Sequence, residues 1–181
     1  MSAENEPAEP MPPAPRTFRA HRVAFVIYAA IGIAVFAADQ ISKRLVEKSI
    51  PLHSFVTVIP HFFNLTYTSN QGAAFGLFSQ DSSPWKTVLL IGVSVILLVA
   101  VVAVVWRNLS IRREAGVALA LILGGAASNL LDRIRDGRVV DFLDFYFRDY
   151  HWFTFNVADS AIVVGACLLV IHLLLTGERG T

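Results

Sequence analysis

The sequence predicts an all-α membrane protein: four transmembrane helices, a small extracytoplasmic β-rich cradle and a second extracytoplasmic loop. Hydrophobic residues make up 55% of the 181 positions and charged ones only 16%, with a mean hydropathy of +0.57. That is too apolar for an ordinary soluble domain. Four stretches carry no charge: Val23–Ala38, Thr87–Trp106, Ala115–Leu131 and Ser160–Thr176. A hydrocarbon core of roughly 30 Å takes about 20 helical residues. The second stretch supplies them alone, and the others do once their polar ends are counted as helix. A soluble bundle of buried helices is the competing reading, and the span lengths disfavour it. Finally, the first connection is rich in β-branched and aromatic residues, the composition of strands.

Taken in order, residues 1–15 hold five prolines and three glutamates, which suits a disordered tail. We expect residues 1–20 to be a disordered cytoplasmic tail, 21–177 the membrane domain, and 178–181 a second cytoplasmic tail. A charged start before an apolar run also resembles a signal peptide. Here the run continues into Asp39-Gln-Ile-Ser-Lys43 with no small-x-small site, so an uncleaved first helix is expected. Arg16, Arg19 and Arg22 precede the first stretch, and Arg107, Arg112 and Arg113 separate the second from the third. The positive-inside rule makes both segments cytoplasmic. Arg133, Arg135, Arg138 and Arg148 weaken that bias, but the first two clusters agree with an even number of crossings, hence N-in and C-in.

Helix 1 is then expected to leave the membrane near Asp39, and residues 45–84 form an outside loop. Within it Phe55–Ile59 and Phe62–Tyr67 read as strands separated by Pro60-His61, with a turn at Asn70-Gln71-Gly72. The resulting β-element is expected to lie on the membrane surface, where Phe62, Phe63 and Tyr67 also suit an interfacial aromatic belt. Helix 2 returns, helix 3 leaves near Asp132, residues 133–155 are outside, and helix 4 re-enters from about Asn156. Cys167, the single cysteine, excludes an intramolecular disulfide and reads as a small packing residue.

This threading brings Asp39, Asn70, Asn129, Asp132, Asp141, Asn156 and Asp159 to one membrane face, in either orientation. Carboxylates at a membrane boundary are costly to place and mark a functional site. Asn129, Asp132 and Arg133 share one helical face. Asp132 and Arg133 are adjacent, so each should find its partner on another element. Asn129 and Arg133 equally suit polar contacts between helices. Asn156 is a good N-cap, and Asp159 at N3 completes a capping-box-like pattern, a structural alternative for that acid. A helix N-terminus also favours an ionised carboxylate. Asp141 lies in Arg138-Val-Val-Asp-Phe-Leu-Asp-Phe-Tyr-Phe147. As a helix, that segment puts Asp141 and Asp144 on one face; as a strand, on opposite faces. Local pattern leaves the choice open. Flanking Val140 and Phe142 should strip water from Asp141 and favour its protonated form.

One ionised and one protonated carboxyl is what an aspartic protease needs. No His-Glu-x-x-His occurs and the five histidines are scattered, which argues against a zinc protease. Gly92-Val-Ser94 sits mid-span without a partnered histidine, and Gly-x-Ser-x-Gly is absent. The alternative from another class is a small proton-coupled transporter or channel. It requires acids spread along a transbilayer path, whereas the centres of the spans are uncharged.

Five segments carry a resemblance: Asp39-Gln-x-x-Lys43, Asn70-x-Gly-Ala-Ala-Phe75, Gly125-Ala-x-x-Asn129-x-x-Asp132-Arg133, Val139-Val-Asp141-Phe142 and Phe155-Asn-x-Ala-Asp159-Ser160. In this order, from about residue 23 to 175, the chain resembles the bacterial lipoprotein signal peptidases (signal peptidase II). The resemblance implies an intramembrane aspartic endopeptidase without metal or cofactor, making 21–177 a four-helix transmembrane peptidase domain. It implies that Asp141 and Asp159 are the catalytic pair. Asp39, Lys43, Asn70, Gly72, Asn129, Arg133 and Asn156 then match substrate-binding or supporting positions, and Asp132 a structural one. Asp144 has no catalytic counterpart and reads as a solvated or interfacial charge. Two departures are visible: the Pro-rich tail is extra, and Phe153 stands where many relatives have proline. Implied partners are diacylglyceryl-modified prolipoproteins, cleaved just before the lipidated cysteine, and membrane lipid, with inhibition by the cyclic peptide globomycin and no nucleic acid. The implied location is the bacterial cytoplasmic (inner) membrane, with the active site at its extracytoplasmic face.

Overall fold

A computed structural model describes residues 16–72, 84–107 and 113–177. The elements run α1 (Arg16–Ser49), β1 (Phe55–Ile59), β2 (Phe63–Asn70), α2 (Pro84–Arg107), α3 (Arg113–Asp136), β3 (Val139–Phe147), β4 (Tyr150–His151) and α4 (Val157–Gly177). Among these, Val23–Ser49, Glu114–Asp136 and Val157–Leu175 are long and apolar enough to cross a membrane. α2 carries a shorter apolar stretch, Val88–Ala100. α3 is the most enclosed of the spans and packs against α4, α1 and α2. The helices approach closely through small residues, the usual device where lipid supplies no hydrophobic drive between helices. A Cβ added at Gly125 would lie 2.5 Å from the Ala158 carbonyl oxygen, and one at Gly165 would lie 2.6 Å from that of Ala118.

Four differences from the sequence expectation follow from packing. α1 begins at Arg16, inside the stretch read as tail, because nothing after Pro15 breaks a helix; residues 1–15 lie outside the described ones. α1 also stays helical to Ser49, past the point near Asp39 where the outside loop was expected to begin, since Val46 and Ile50 have apolar partners there. These two pack with Tyr67, Val140 and Phe142, and Leu65, Leu143 and Val157 border the cluster. Tyr67 is therefore core rather than belt, while Phe62 stays exposed. Cys167 is exposed on α4; Gly165 and Ala161 take the buried positions there.

The connection between α1 and α2 and that between α3 and α4 do not form separate units. β2 pairs antiparallel with β3, and the four strands form one antiparallel sheet in the order β1-β2-β3-β4. A bulge between Leu65 and Thr68 re-aims β2 before it reaches Asp141, whose register partner is Thr68. α3 stops at Gly137, whose positive φ of 66° and N–H to the Arg133 carbonyl (3.0 Å) form a C-terminal cap. The chain then turns directly into β3. The site thus lies where the ends of α1 and α3, the start of α4 and the strands β2 and β3 meet.

Candidate active site

β3 is a strand, so Asp141 and Asp144 face opposite sides of the sheet. Asp141 is only 2% exposed. Asn70 Nδ2 donates to its Oδ2 (2.9 Å) from the neighbouring strand, and Asn156 Nδ2 donates to its Oδ1 (2.7 Å). Burial pushes the Asp141 carboxyl from 3.8 up to about 7. The charge of Asp159 adds to the rise, while the two amide hydrogen bonds and Lys43 oppose it.

Asp159 opens α4. The capping box expected there forms in full: Asp159 N–H donates to Asn156 Oδ1 (2.9 Å), and Asn156 N–H donates to Asp159 Oδ2 (3.3 Å). Its other oxygen accepts from Asn129 Nδ2 (2.8 Å). All four carboxyl oxygens of Asp141 and Asp159 therefore accept hydrogen bonds. The residue between them is Asn156, fully buried, with its side chain on one acid and its backbone on the other. The capping role and the site placement of Asp159 coexist.

Beneath this pair lies a buried network from α1 and α3. Lys43 Nζ donates to Asp39 Oδ2 (2.6 Å), Asp132 Oδ2 (2.6 Å) and Asn129 Oδ1 (2.8 Å). Asp39 Oδ1 accepts from the Ala158 N–H at the start of α4 (2.8 Å). Asp132 thus finds its partners on α1, as its adjacency to Arg133 predicted. Arg133 reaches across to the Gly72 carbonyl (3.4 Å), and Gly72 N–H donates to Asn70 Oδ1 (2.8 Å) in an Asx-type turn. Every expected site residue belongs to this one connected network. The adjoining Ala73, Ala74 and Phe75 lie outside the described residues.

Two members were missed as site residues. Gln40 Nε2 donates to Asp132 Oδ1 (2.7 Å) and Ser128 Oγ (3.0 Å), and Ser128 Oγ donates to Asp39 Oδ2 (2.7 Å). Their signal in the sequence is polar character beside Asp39 and Asn129 within otherwise apolar helices. Asp144 corrects an expectation: it is not a solvated charge but 6% exposed, accepting from Asn64 Nδ2 (3.0 Å) and pairing with His151 Nδ1 (2.9 Å). Facing away from Asp141, it ties β2, β3 and β4 together. Among the described residues no three His, Cys, Asp or Glu side chains are grouped to hold a metal ion.

Chemically, the arrangement offers two acids from different elements, bridged by a single asparagine, one of them with its carboxyl raised by burial to about 7. Comparisons with known proteins give the relatives of the chain. Residues 31–175 match the family model described as signal peptidase (SPase) II. The lipoprotein signal peptidase of Solibacter usitatus is 46% identical over 149 residues, covering 81% of this chain and 91% of that protein. That of Geobacter sulfurreducens is 42% identical over 154 residues, covering 84% and 94%. A solved bacterial membrane enzyme, determined by the in meso method at 2.3 Å, superposes with a TM-score of 0.75 at 30% identity, covering 86% of this chain and 92% of its own.

Proposed function

The chain belongs to the signal peptidase II family, and from that premise we propose that it cleaves prolipoproteins as an aspartic endopeptidase, with Asp141 and Asp159 as the catalytic pair. Its function is signal-peptide removal from prolipoproteins. The observation that carries the catalytic assignment is the bridging by Asn156 of the buried Asp141 carboxyl and the half-buried Asp159 carboxyl. Asp141, raised to about 7, keeps its proton up to about that pH and, in this reading, hydrogen-bonds the scissile carbonyl oxygen. Asp159 acts as the ionised partner and takes a proton from water, whose oxygen attacks the carbonyl carbon. The tetrahedral intermediate collapses as the leaving amine gains a proton, and the pair returns to its starting state.

The substrate cysteine carries a diacylglyceryl group, and cleavage falls just before it. A lipid anchor holds the scissile bond at the membrane boundary, where this site opens, and lowers the entropic cost of reaching it. The β1–β4 sheet serves as the cradle above the bond, with the exposed Phe62 at its rim. The proposal includes four crossings, which the helix directions support: α1 and α3 both run toward the site, and a return across the membrane between them accounts for this. α2 is the described helix in that interval, and its 24 residues reach about 36 Å at 1.5 Å per residue. With the arginines of both inner segments cytoplasmic, the site faces outward from the cytoplasmic (inner) membrane. Globomycin is expected to compete for the same site.

The test is a gel-shift assay with purified protein and a diacylglyceryl-modified prolipoprotein. Asp141→Asn and Asp159→Asn should each abolish processing while folded protein still accumulates. Full activity in either variant refutes the pair. Equal rates on unlipidated substrate refute the substrate assignment.

A further inference from the structure

The Asn129 amide has two ends that differ only in which atom donates. Its Oδ1 accepts from Lys43 Nζ (2.8 Å) and from Asn156 Nδ2 (3.4 Å), and its Nδ2 donates to Asp159 Oδ1 (2.8 Å). An ammonium has three donors and no acceptor. Rotating the amide by half a turn would set its NH2 against that ammonium and against a second NH2. Lys43 is 3% exposed and its own direction is fixed by Asp39 and Asp132, so it cannot swing aside.

We propose that Lys43 is a positioning residue for the peptidase reaction, acting through Asn129 to present only a donor to Asp159. The proposal rests on Asp159 being the ionised partner of the pair. A donor on Oδ1 holds a carboxylate and offers nothing to a carboxylic acid proton. Without Lys43 only the longer Asn156 contact (3.4 Å) opposes a turn of the amide that brings its oxygen toward Asp159 to accept that proton instead. The lysine therefore never touches substrate, yet it determines which form of the acid the site favours. It also explains why one buried cation contacts α1, α3 and, through Asn129, the first turn of α4.

Removing the ammonium alone would strand two buried carboxylates, so the test pairs Lys43→Met with Asp132→Asn and compares it with Asp132→Asn alone and with Lys43→Arg. kcat is measured against pH on the lipidated prolipoprotein. In the double variant the acid limb should move up by about one pH unit, roughly a tenfold lower rate at a fixed pH on that limb, with KM unchanged. Asp132→Asn and Lys43→Arg should leave the limb in place. If the double variant fails to accumulate, Asn129→Leu reads the same link, because it removes the amide donor to Asp159 without adding a charge and leaves Lys43 paired with Asp39 and Asp132. A limb that stays put in the variant measured, with only thermal stability reduced, overturns the proposal. Failure of the underlying assignment is separately visible as retained cleavage in Asp141→Asn or Asp159→Asn.

Discussion

Asp141→Asn should stabilise the folded protein at neutral pH and destabilise it in acid. Asp141 rises from 3.8 to about 7, close to three units. At about 1.4 kcal/mol per unit, the proton is worth on the order of 4 kcal/mol. The sign follows from the direction of the shift. Between about pH 4 and pH 7 the folded state holds a proton that the unfolded state has released, so the stability of the native protein falls as pH rises across that window. Asparagine never carries the charge and escapes this loss. It has its own cost, because Asn70 and Asn156 both donate to Asp141 and an amide accepts on one atom only. One donor is left facing another, at about 1–3 kcal/mol. The variant should therefore be less stable below about pH 4 by about that amount, and by roughly 1 kcal/mol less than that at pH 4.5. By pH 7.5 it should be more stable, by roughly 1–3 kcal/mol. About 3 kcal/mol of the proton's contribution falls between pH 4.5 and 8, so at about 2–4 °C per kcal/mol for a chain of this size the Tm difference between the two proteins should swing by roughly 6–12 °C. Thermal unfolding in detergent from pH 4.5 to 8 measures it. A difference that does not change with pH refutes the account of Asp141. Asp159→Asn should flatten the native slope in part, since the charge of Asp159 is the second cause of the rise.

Gly125→Ala places a methyl 2.5 Å from the Ala158 oxygen and 2.9 Å from Ile162 Cγ1, so the first turn of α4 must shift and carry Asp159 with it. We expect a loss of about 1–3 kcal/mol and at least a roughly tenfold fall in kcat, read by thermal unfolding and the cleavage assay. Gly124→Ala meets the Gly32 oxygen at 2.5 Å and should loosen α1 from α3, lowering Tm by a few °C. Asp144→Ala leaves Asn64 and His151 without their shared acceptor, costing about 1–3 kcal/mol. Its kcat measured below the transition should match the unsubstituted protein, because Asp144 faces away from Asp141.

The helices were legible because an uncharged run of the right length has one cheap conformation in lipid, with every backbone group bonded internally. The site residues were legible for a related reason: carboxyls and amides are rare at such boundaries, and threading alone collects them at one face. Asn156 and Asp159 even carried their local geometry in their spacing, since a capping box is built within four residues. What local pattern left open was the conformation of Val139–Phe147. That segment is a strand because β2, about 75 positions earlier, supplies its ladder partners, and no window along the chain contains both.

Asp144 shows why this kind of information is missing from spacing. Its two partners are Asn64, 80 positions away, and His151, seven positions on across a hairpin. Neither relation has a periodic signature, so an acid with no assigned task read as solvated. The same reasoning applies to Gln40 and Ser128. Each is an ordinary polar residue until α1 and α3 cross, and only then do both acquire buried partners on Asp39 and Asp132. The end of α1 follows this rule too. Nothing within Ile41–Ser49 requires a helix past Asp39; the requirement comes from Tyr67, Val140 and Phe142, which give Val46 and Ile50 a surface to cover. Local sequence therefore specifies which groups a membrane chain must hide. Long-range pairing decides what they hide against, and in this protein that pairing brings Asp141 within reach of Asn156 and so of Asp159.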